Sequence, residues 1–385
     1  MRVTLCSALA QGGIGQYTYG LACALQAAGV DVTQLLYEYP EYDLERFPHP
    51  YRLVKKLQLA ISRRTQLTSP IRNLRVMLQE SWRADLVHFQ WSLGARTDKL
   101  HIPILRRLGK PIVYTAHDVL PHDSNVMSLE HCRWLYHQAD ALFVHGESLK
   151  QLLSERFEVD PALVHVIPHG NYNFISDVPG PWSREQARAS FGFTEDDCVV
   201  LFFGLIREYK GIDTLLEACR ILNQRGLRPG QRLKLLIAGR VYRDHWNEGG
   251  YARLIEQAGL THTVKLHLDH VSMQDIARFF NAADVMAVPY KRGSQSGVLR
   301  LAYSFGKPAV ATRVGSLSEL PAADLTCFVP PEDPEAFANA LQELLGNPTA
   351  ARELGRRARN YADTELSWDR IAATTRAVYE SLGAR

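Results

Sequence analysis

The chain is expected to fold as α/β, in two doubly wound parallel-sheet domains. Short apolar runs alternate with stretches of helical periodicity, which is the pattern of βαβ units. The alternation occurs twice, interrupted by a segment at residues 171–181 where Pro, Gly and Asn break the periodicity. A length of 385 residues fits two such domains better than one.

In the first half, the buried-strand candidates are Val3–Leu5, Val32–Leu36, Leu86–Phe89, Ile112–Thr115, Ala141–Val144 and Val164–Ile167. In the second half they are Val199–Phe203, Leu233–Ala238, Val264–Leu268, Val285–Val288, Ala309–Thr312 and Cys327–Val329. Ser183, with Gln186 three residues on, reads as a capped helix start just past the boundary. From Asp333 onward the tail reads as helices, with Pro334 and Pro348 near two starts and Ser367-Trp368-Asp369 opening the last. These breaks divide the chain into domains at residues 1–175 and 176–365, followed by a terminal helix at 366–385.

Residues 51–82 are unusual. They carry Arg52, Lys55, Lys56, Arg63, Arg64, Arg72 and Arg75 against Glu80 alone, interleaved with leucines, isoleucines and valines. That pattern predicts a basic amphipathic helix, which either grips an anionic membrane surface or acceptor or is simply a solvated face.

Composition sets the surroundings. The formal net charge of +3 is too small to imply nucleic acid by itself. No apolar run reaches the ~20 residues that span a bilayer, and Met1-Arg2-Val3-Thr4-Leu5 begins in a strand pattern, so a cytosolic protein is expected, at most at the inner face of the membrane. The six cysteines are scattered without a CxxC pair, and reduced core thiols are expected.

Three places can carry chemistry. The first is the small-residue loop Gly293-Ser294-Gln295-Ser296-Gly297-Val298, set between a strand and a helix. Such a loop offers free backbone N–H groups at the positive end of the helix dipole, where phosphate binds. The second is Arg207-Glu208-Tyr209-Lys210-Gly211, two cations at a strand end in the same half. Fixed cations stabilise a diphosphate leaving group as its charge grows. The third is His117 in Thr115-Ala116-His117-Asp118, at a strand end, where open α/β sheets bind ligands; Asp118 is its nearest candidate partner. His145, His169 and His270 occupy comparable positions. Gly12-Gly13-Ile14-Gly15 follows the first strand and enters a helix expected over residues 16–28, but Thr18 stands where a dinucleotide fingerprint has its third glycine.

Taken together these segments resemble the retaining nucleotide-sugar glycosyltransferases of family four. The resemblance is carried in order by residues 12–15, Thr115-Ala116-His117-Asp118, Val166-Ile167-Pro168-His169-Gly170, Arg207 to Lys210-Gly211, Leu236-Ile237-Ala238-Gly239, Ala282-Ala283-Asp284-Val285, Gly306-Lys307-Pro308 and residues 315–319. It implies the GT-B architecture: two facing Rossmann-like domains, the first for acceptor and the second for donor, with the last helix crossing back to the first. It also implies metal-independent transfer of a hexose-type sugar from a UDP- or GDP-linked donor to a lipid-linked or glycan acceptor, with no further cofactor. His117, Arg207 and Lys210 would be catalytic. Donor contacts would come from Gly13, Gly15, Gly239, Arg240, Ser294, Gln295, Ser296, Gly297, Val298 and Glu319. No Asp-x-Asp pair occurs, so diphosphate binding is explained without metal. The sequence departs from the family at two places. The pair of glutamates eight residues apart, usual before Gly-Lys-Pro, is replaced by Gly293 and Leu301 in one register or Ser294 and Ala302 in the other, and the usual arginine position holds Leu205. A nucleotide-sugar epimerase of similar fold, or a silent partner of an active transferase, stays open on the residues alone.

Overall fold

The computed structural model describes residues 1–7, 12–36, 55–58, 78–120, 127–177, 180–242, 248–293, 295–320 and 322–383. The chain forms two compact units, Met1–Gly170 with Glu365–Arg385, and Asn171–Thr364.

The first unit is built on seven parallel strands: β1 (Arg2–Ser7), β2 (Asp31–Leu36), β3 (Lys55–Gln58), β4 (Leu86–Phe89), β5 (Ile112–Thr115), β6 (Ala141–Val144) and β7 (Val164–Val166). Their order is β3-β2-β1-β4-β5-β6-β7, so the chain reverses its direction of travel between β1 and β4. Strands β4, β5 and β6 are buried at every position, as continuous apolar runs covered on both faces must be.

Two expectations are corrected here. The basic segment is not helical throughout, because Lys55–Gln58 is an edge strand paired in parallel with β2, Leu35 opposite Leu57. Two lysines in four residues is the composition of a strand whose outer edge must not recruit another chain. Arg52, Arg63, Arg64, Arg72 and Arg75 lie outside the described residues. The first helix begins at Gly12 rather than Gln16 and runs to Ala27, so the glycines form its first turn instead of a loop before it. The Thr18 hydroxyl donates to the Ile14 carbonyl 2.8 Å away, and Thr18 packs inside that helix.

The last helix, Trp368–Ser381, completes this unit. Its Ile371, Ala372, Val378 and Tyr379 share one core with Tyr17, Leu21 and Leu25 of the first helix. Trp368 sits against Gly20 and Gly170, where an added Cβ would stand 2.3 Å from the indole, so only hydrogen fits at both positions.

The second unit has six parallel strands: β8 (Asp197–Phe203), β9 (Arg232–Ala238), β10 (Val264–His267), β11 (Val285–Val288), β12 (Ala309–Thr312) and β13 (Cys327–Val329). Their order is β10-β9-β8-β11-β12-β13, with the reversal between β8 and β11. The helix Arg184–Phe191 starts in a capping box, with the Gln186 N–H donating to the Ser183 hydroxyl and the Ser183 N–H to the side-chain Oε1 of Gln186. Buried Arg188 on that helix donates to the Thr194 and Asp197 carbonyls and pairs with Asp284 at 3.3 Å. Since Asp284 also accepts the Val199 N–H at 2.7 Å, one ion pair clamps the starts of β8 and β11.

All six cysteines are free. Burial raises the thiol pKa values of Cys6, Cys132, Cys198, Cys219 and Cys327, which keeps these thiols protonated.

Candidate functional site

In an open α/β sheet, ligands bind beyond the strand ends where the strand order reverses. In the second unit that place lies past the ends of β8 and β11, and both sequence-predicted loops lead from it. Arg207 and Lys210 follow β8; residues 293–298 follow β11. Side chains join the two loops: Lys210 Nζ donates to the Tyr290 hydroxyl at 2.7 Å, and the Ser296 hydroxyl donates to the same oxygen at 3.2 Å. Burial pushes the Tyr290 phenol up to about 12, so it stays neutral beside the lysine. Backbone completes the joint, with the Lys291 N–H donating to the Tyr209 carbonyl at 2.8 Å. Lys291 itself is matched by Asp213 at 2.6 Å.

Arg207 differs. Its guanidinium lies 4.8 Å from the Tyr242 ring centroid, and its Nε is buried with no acceptor among the described residues. Ser296 caps the eight-residue helix Gly297–Ser304, accepting the Leu299 N–H at 3.2 Å. The first N–H groups of that helix, at Gly297 and Val298, have no partner within it. A neutral-capped helix start thus stands on one loop and an arginine with an unmatched donor on the other, an arrangement suited to phosphate oxygens.

The glycines here have steric reasons. Gly239, at φ +145°, follows β9, and a Cβ on it would stand 2.0 Å from the Gly204 carbonyl oxygen. Gly211, at φ +70°, would drive a Cβ to 2.0 Å from the Pro289 carbonyl oxygen. Both hold neighbouring strand-end loops in backbone contact.

The first unit gathers histidines. His88 lies in β4, His117 follows β5, His145 follows β6 and His169 follows β7, and all four are buried. His117 Nδ1 is 3.1 Å from His145 Nε2, and His117 Nε2 is 3.3 Å from the Gln90 side chain. Both its ring nitrogens therefore have protein partners. The Tyr17 ring lies 4.7 Å from His117, 5.0 Å from His145 and 5.1 Å from His169, centroid to centroid. Burial, followed by its three histidine neighbours, holds the His117 imidazole well below its ordinary pKa, so the ring is neutral near pH 7.

Residues 183–361 match the family described as glycosyl transferases group 1, and residues 11–170 match glycosyltransferase family 4. The chain belongs to this glycosyltransferase family. Among its relatives is a D-inositol 3-phosphate glycosyltransferase of Corynebacterium glutamicum, 27% identical over 307 residues, which are 77% of this chain and 72% of the relative. The protein of the same description from Saccharomonospora viridis is 29% identical over 324 residues, covering 78% and 71%. Two solved structures share the fold. Anabaena HepE in complex with UDP-glucose superposes with a TM-score of 0.77 at 16% identity, covering 98% of this chain and all of the other. Sucrose-phosphate synthase of Thermosynechococcus elongatus gives 0.75 at 21%, covering 100% and 99%.

Within this glycosyltransferase the remaining sequence-predicted residues are spread out. Gly13 is exposed and Gly15 buried in the first turn of the first helix. Arg240 is exposed, and its carbonyl accepts the Ile206 N–H at 2.9 Å. Gln295 is half-buried, Ser294 lies outside the described residues, and Glu319 is exposed at the end of the 3-10 turn Gly315–Glu319. His270 is exposed beyond β10 in the second unit, whereas His88, His117, His145 and His169 belong to the first. Of the positions where the family's second glutamate would fall, Leu301 and Ala302 are buried, which explains their apolar character. Tyr290, Gln90 and Tyr242 were not legible as site residues. Their only sequence signal is that each follows a strand end by one to four positions.

Proposed function

We propose that this glycosyltransferase moves a hexose from a nucleoside diphosphate, with retention at the anomeric carbon, to an acceptor that bears phosphate. The observation that carries the donor half is the joint made by Lys210, Tyr290 and Ser296. It gathers a lysine, an unmatched arginine donor and a helix start at the strand-order reversal of the second unit. Arg207 and Lys210 would bear the charge that grows on the departing diphosphate. The Gly297 and Val298 N–H groups would hold its oxygens, and Gln295 and Ser294 would offer neutral hydrogen bonds to sugar hydroxyls. His117 is our candidate in the first unit for contact with the transferred sugar.

A protein of the same fold binds UDP-glucose, which favours a uridine donor. The acceptor reading rests on the basic content of residues 51–82 together with the inositol phosphate in the relatives' names. A lipid-linked phosphate glycan at an anionic membrane surface satisfies the same chemistry.

The test is a thermal-shift screen with UDP, GDP, ADP and dTDP, followed by transfer from the sugar form of the winner. A ligand at one hundred times its dissociation constant adds about 2.7 kcal/mol to the folded state, so a single nucleotide should stand out. Incubation with inositol phosphate and, separately, with lipid-linked glycan then decides the acceptor, and NMR of the product decides retention. No shift with any nucleotide would sink the donor assignment.

A further inference from the structure

The buried polar side chains of the first unit form one continuous line. Tyr379 Oη, on the last helix, is 2.5 Å from His88 Nδ1. His88 Nε2 is 3.0 Å from Gln90 Nε2 as placed and 2.8 Å from Thr115 Oγ1. Gln90 Oε1 as placed is 3.3 Å from His117 Nε2. His117 Nδ1 is 3.1 Å from His145 Nε2, and His145 Nδ1 is 3.2 Å from the Ile167 carbonyl oxygen. Tyr379, His88, Gln90, His117 and His145 are each at most 6% exposed.

One end of this line cannot be reversed, because a carbonyl oxygen only accepts. His145 must therefore carry its proton on Nδ1, and a neutral His145 has a lone pair on Nε2. That lone pair requires a proton on His117 Nδ1, which in a neutral ring leaves the lone pair of His117 on Nε2. Gln90 must then carry its NH2 toward His117 and its oxygen toward His88, which exchanges the two amide atoms as placed, since the two ends of an amide are distinguished by their partners. His88 in turn donates from Nε2 to Gln90, with Thr115 Oγ1 sharing that proton, and accepts on Nδ1 from Tyr379. Each ring nitrogen then faces a complementary group. The opposite amide orientation asks His117 Nε2 to donate. It can be satisfied only by adding a proton to the His117–His145 pair, a charge in a buried site that desolvation opposes.

We propose that Gln90 and His145 are positioning residues that hold His117 as its neutral Nδ1–H tautomer, at the end of a directed hydrogen-bond chain anchored by Tyr379 and the Ile167 carbonyl. The chain fixes the ring's rotation as well as its proton, because both nitrogens are committed to partners on neighbouring strands. For catalysis the inference rests on the reading that His117 touches the transferred sugar; for the tautomer it does not.

The experiment is long-range 1H–15N correlation NMR on the full chain labelled with 15N-histidine, followed by kinetics with UDP-glucose as the probe donor. At pH 7 the unaltered protein should show His117 and His145 protonated on Nδ1 alone, and His88 on Nε2 alone. His117 protonated on Nε2, or on both nitrogens, overturns the chain. This readout needs no variant, so it stands whether or not a variant folds. Gln90→Glu, which presents acceptors on both sides, should place a proton on His117 Nε2. It should also lower kcat for UDP-glucose turnover at least tenfold while KM stays within twofold. Movement of the proton with kcat unchanged overturns the positioning role. If the unaltered protein does not turn over UDP-glucose, the functional reading fails and the tautomer result still decides the chain.

Discussion

Lys210 is buried at a strand end, where its Nζ donates to the Tyr290 hydroxyl at 2.7 Å beside the start of the next loop's helix. We expect Lys210→Ala to lower turnover by ~10²-fold or more with the fold intact, as loss of a preorganised electrostatic group does. Near-normal turnover, with circular dichroism unchanged, would end its assignment. On the neighbouring loop the backbone and the side chains should separate. Gly297→Val puts a Cβ beside the helix start and should weaken binding of the free nucleoside diphosphate more than tenfold, about 1.4 kcal/mol. Gln295→Ala should leave that binding nearly unchanged and impair sugar transfer. Calorimetry with UDP checks the contrast, and the reverse ranking would assign the anion to the side chains. Gly239→Ala should be structural instead: with φ at +145° and the Gly204 oxygen 2.0 Å from the new Cβ, a loss of about 3 kcal/mol is expected in urea unfolding. Arg207 and Lys210 were legible because cations beside a strand end have few structural reasons to be there. Tyr290, which joins Lys210 to Ser296, was not, because an aromatic after an apolar run reads as core until its hydroxyl is seen to have partners.

At the scale of elements, four histidines at the ends of adjacent strands make a buried row, and two of them, His88 and His117, give it a pH signature. Burial lowers His88 from 6.5 to about 3 and moves His117 in the same direction. Below about pH 6.5 the unfolded chain takes up these protons while the folded chain does not. Stability is therefore full above that pH and declines as pH falls toward the folded values. Each such group should remove about 1.4 kcal/mol per pH unit. Urea midpoints of the first unit between pH 7 and 5 measure the decline, and His88→Gln should reduce its slope by about one proton. An unchanged slope in that variant would mean that His88 is not held neutral. The positions of His117, His145 and His169 after apolar runs were visible in the sequence, but their convergence was not, since it depends on β5, β6 and β7 lying side by side. The edge strand Lys55–Gln58 was missed for a related reason: its four residues show no alternation, and pairing with β2 rather than local propensity makes it a strand.

For the molecule as a whole, residues 365–385 belong with the first 170 although nearly two hundred residues separate them. Removing them would uncover the faces of Tyr17, Leu21 and Leu25 and empty the space that Gly20 and Gly170 keep for Trp368. Large buried apolar losses of this kind exceed the margin of most domains. The truncated protein should lose the cooperative transition of its first unit while the second still binds UDP. Survival of both transitions in scanning calorimetry would show that the helix is dispensable. What the sequence by itself determined was the α/β class, twelve of the thirteen strand positions among the described residues, the capped helix start at Ser183 and the family, because apolar period, capping residues and motif order are properties of neighbours along the chain. Only the tertiary structure decided strand order, the joint of Lys210 with Tyr290 and Ser296, and the direction of the hydrogen bonds around His117. Those depend on which strand ends become neighbours in space, and that is settled by burying both sheets and pairing their backbone polar groups, not by any one segment.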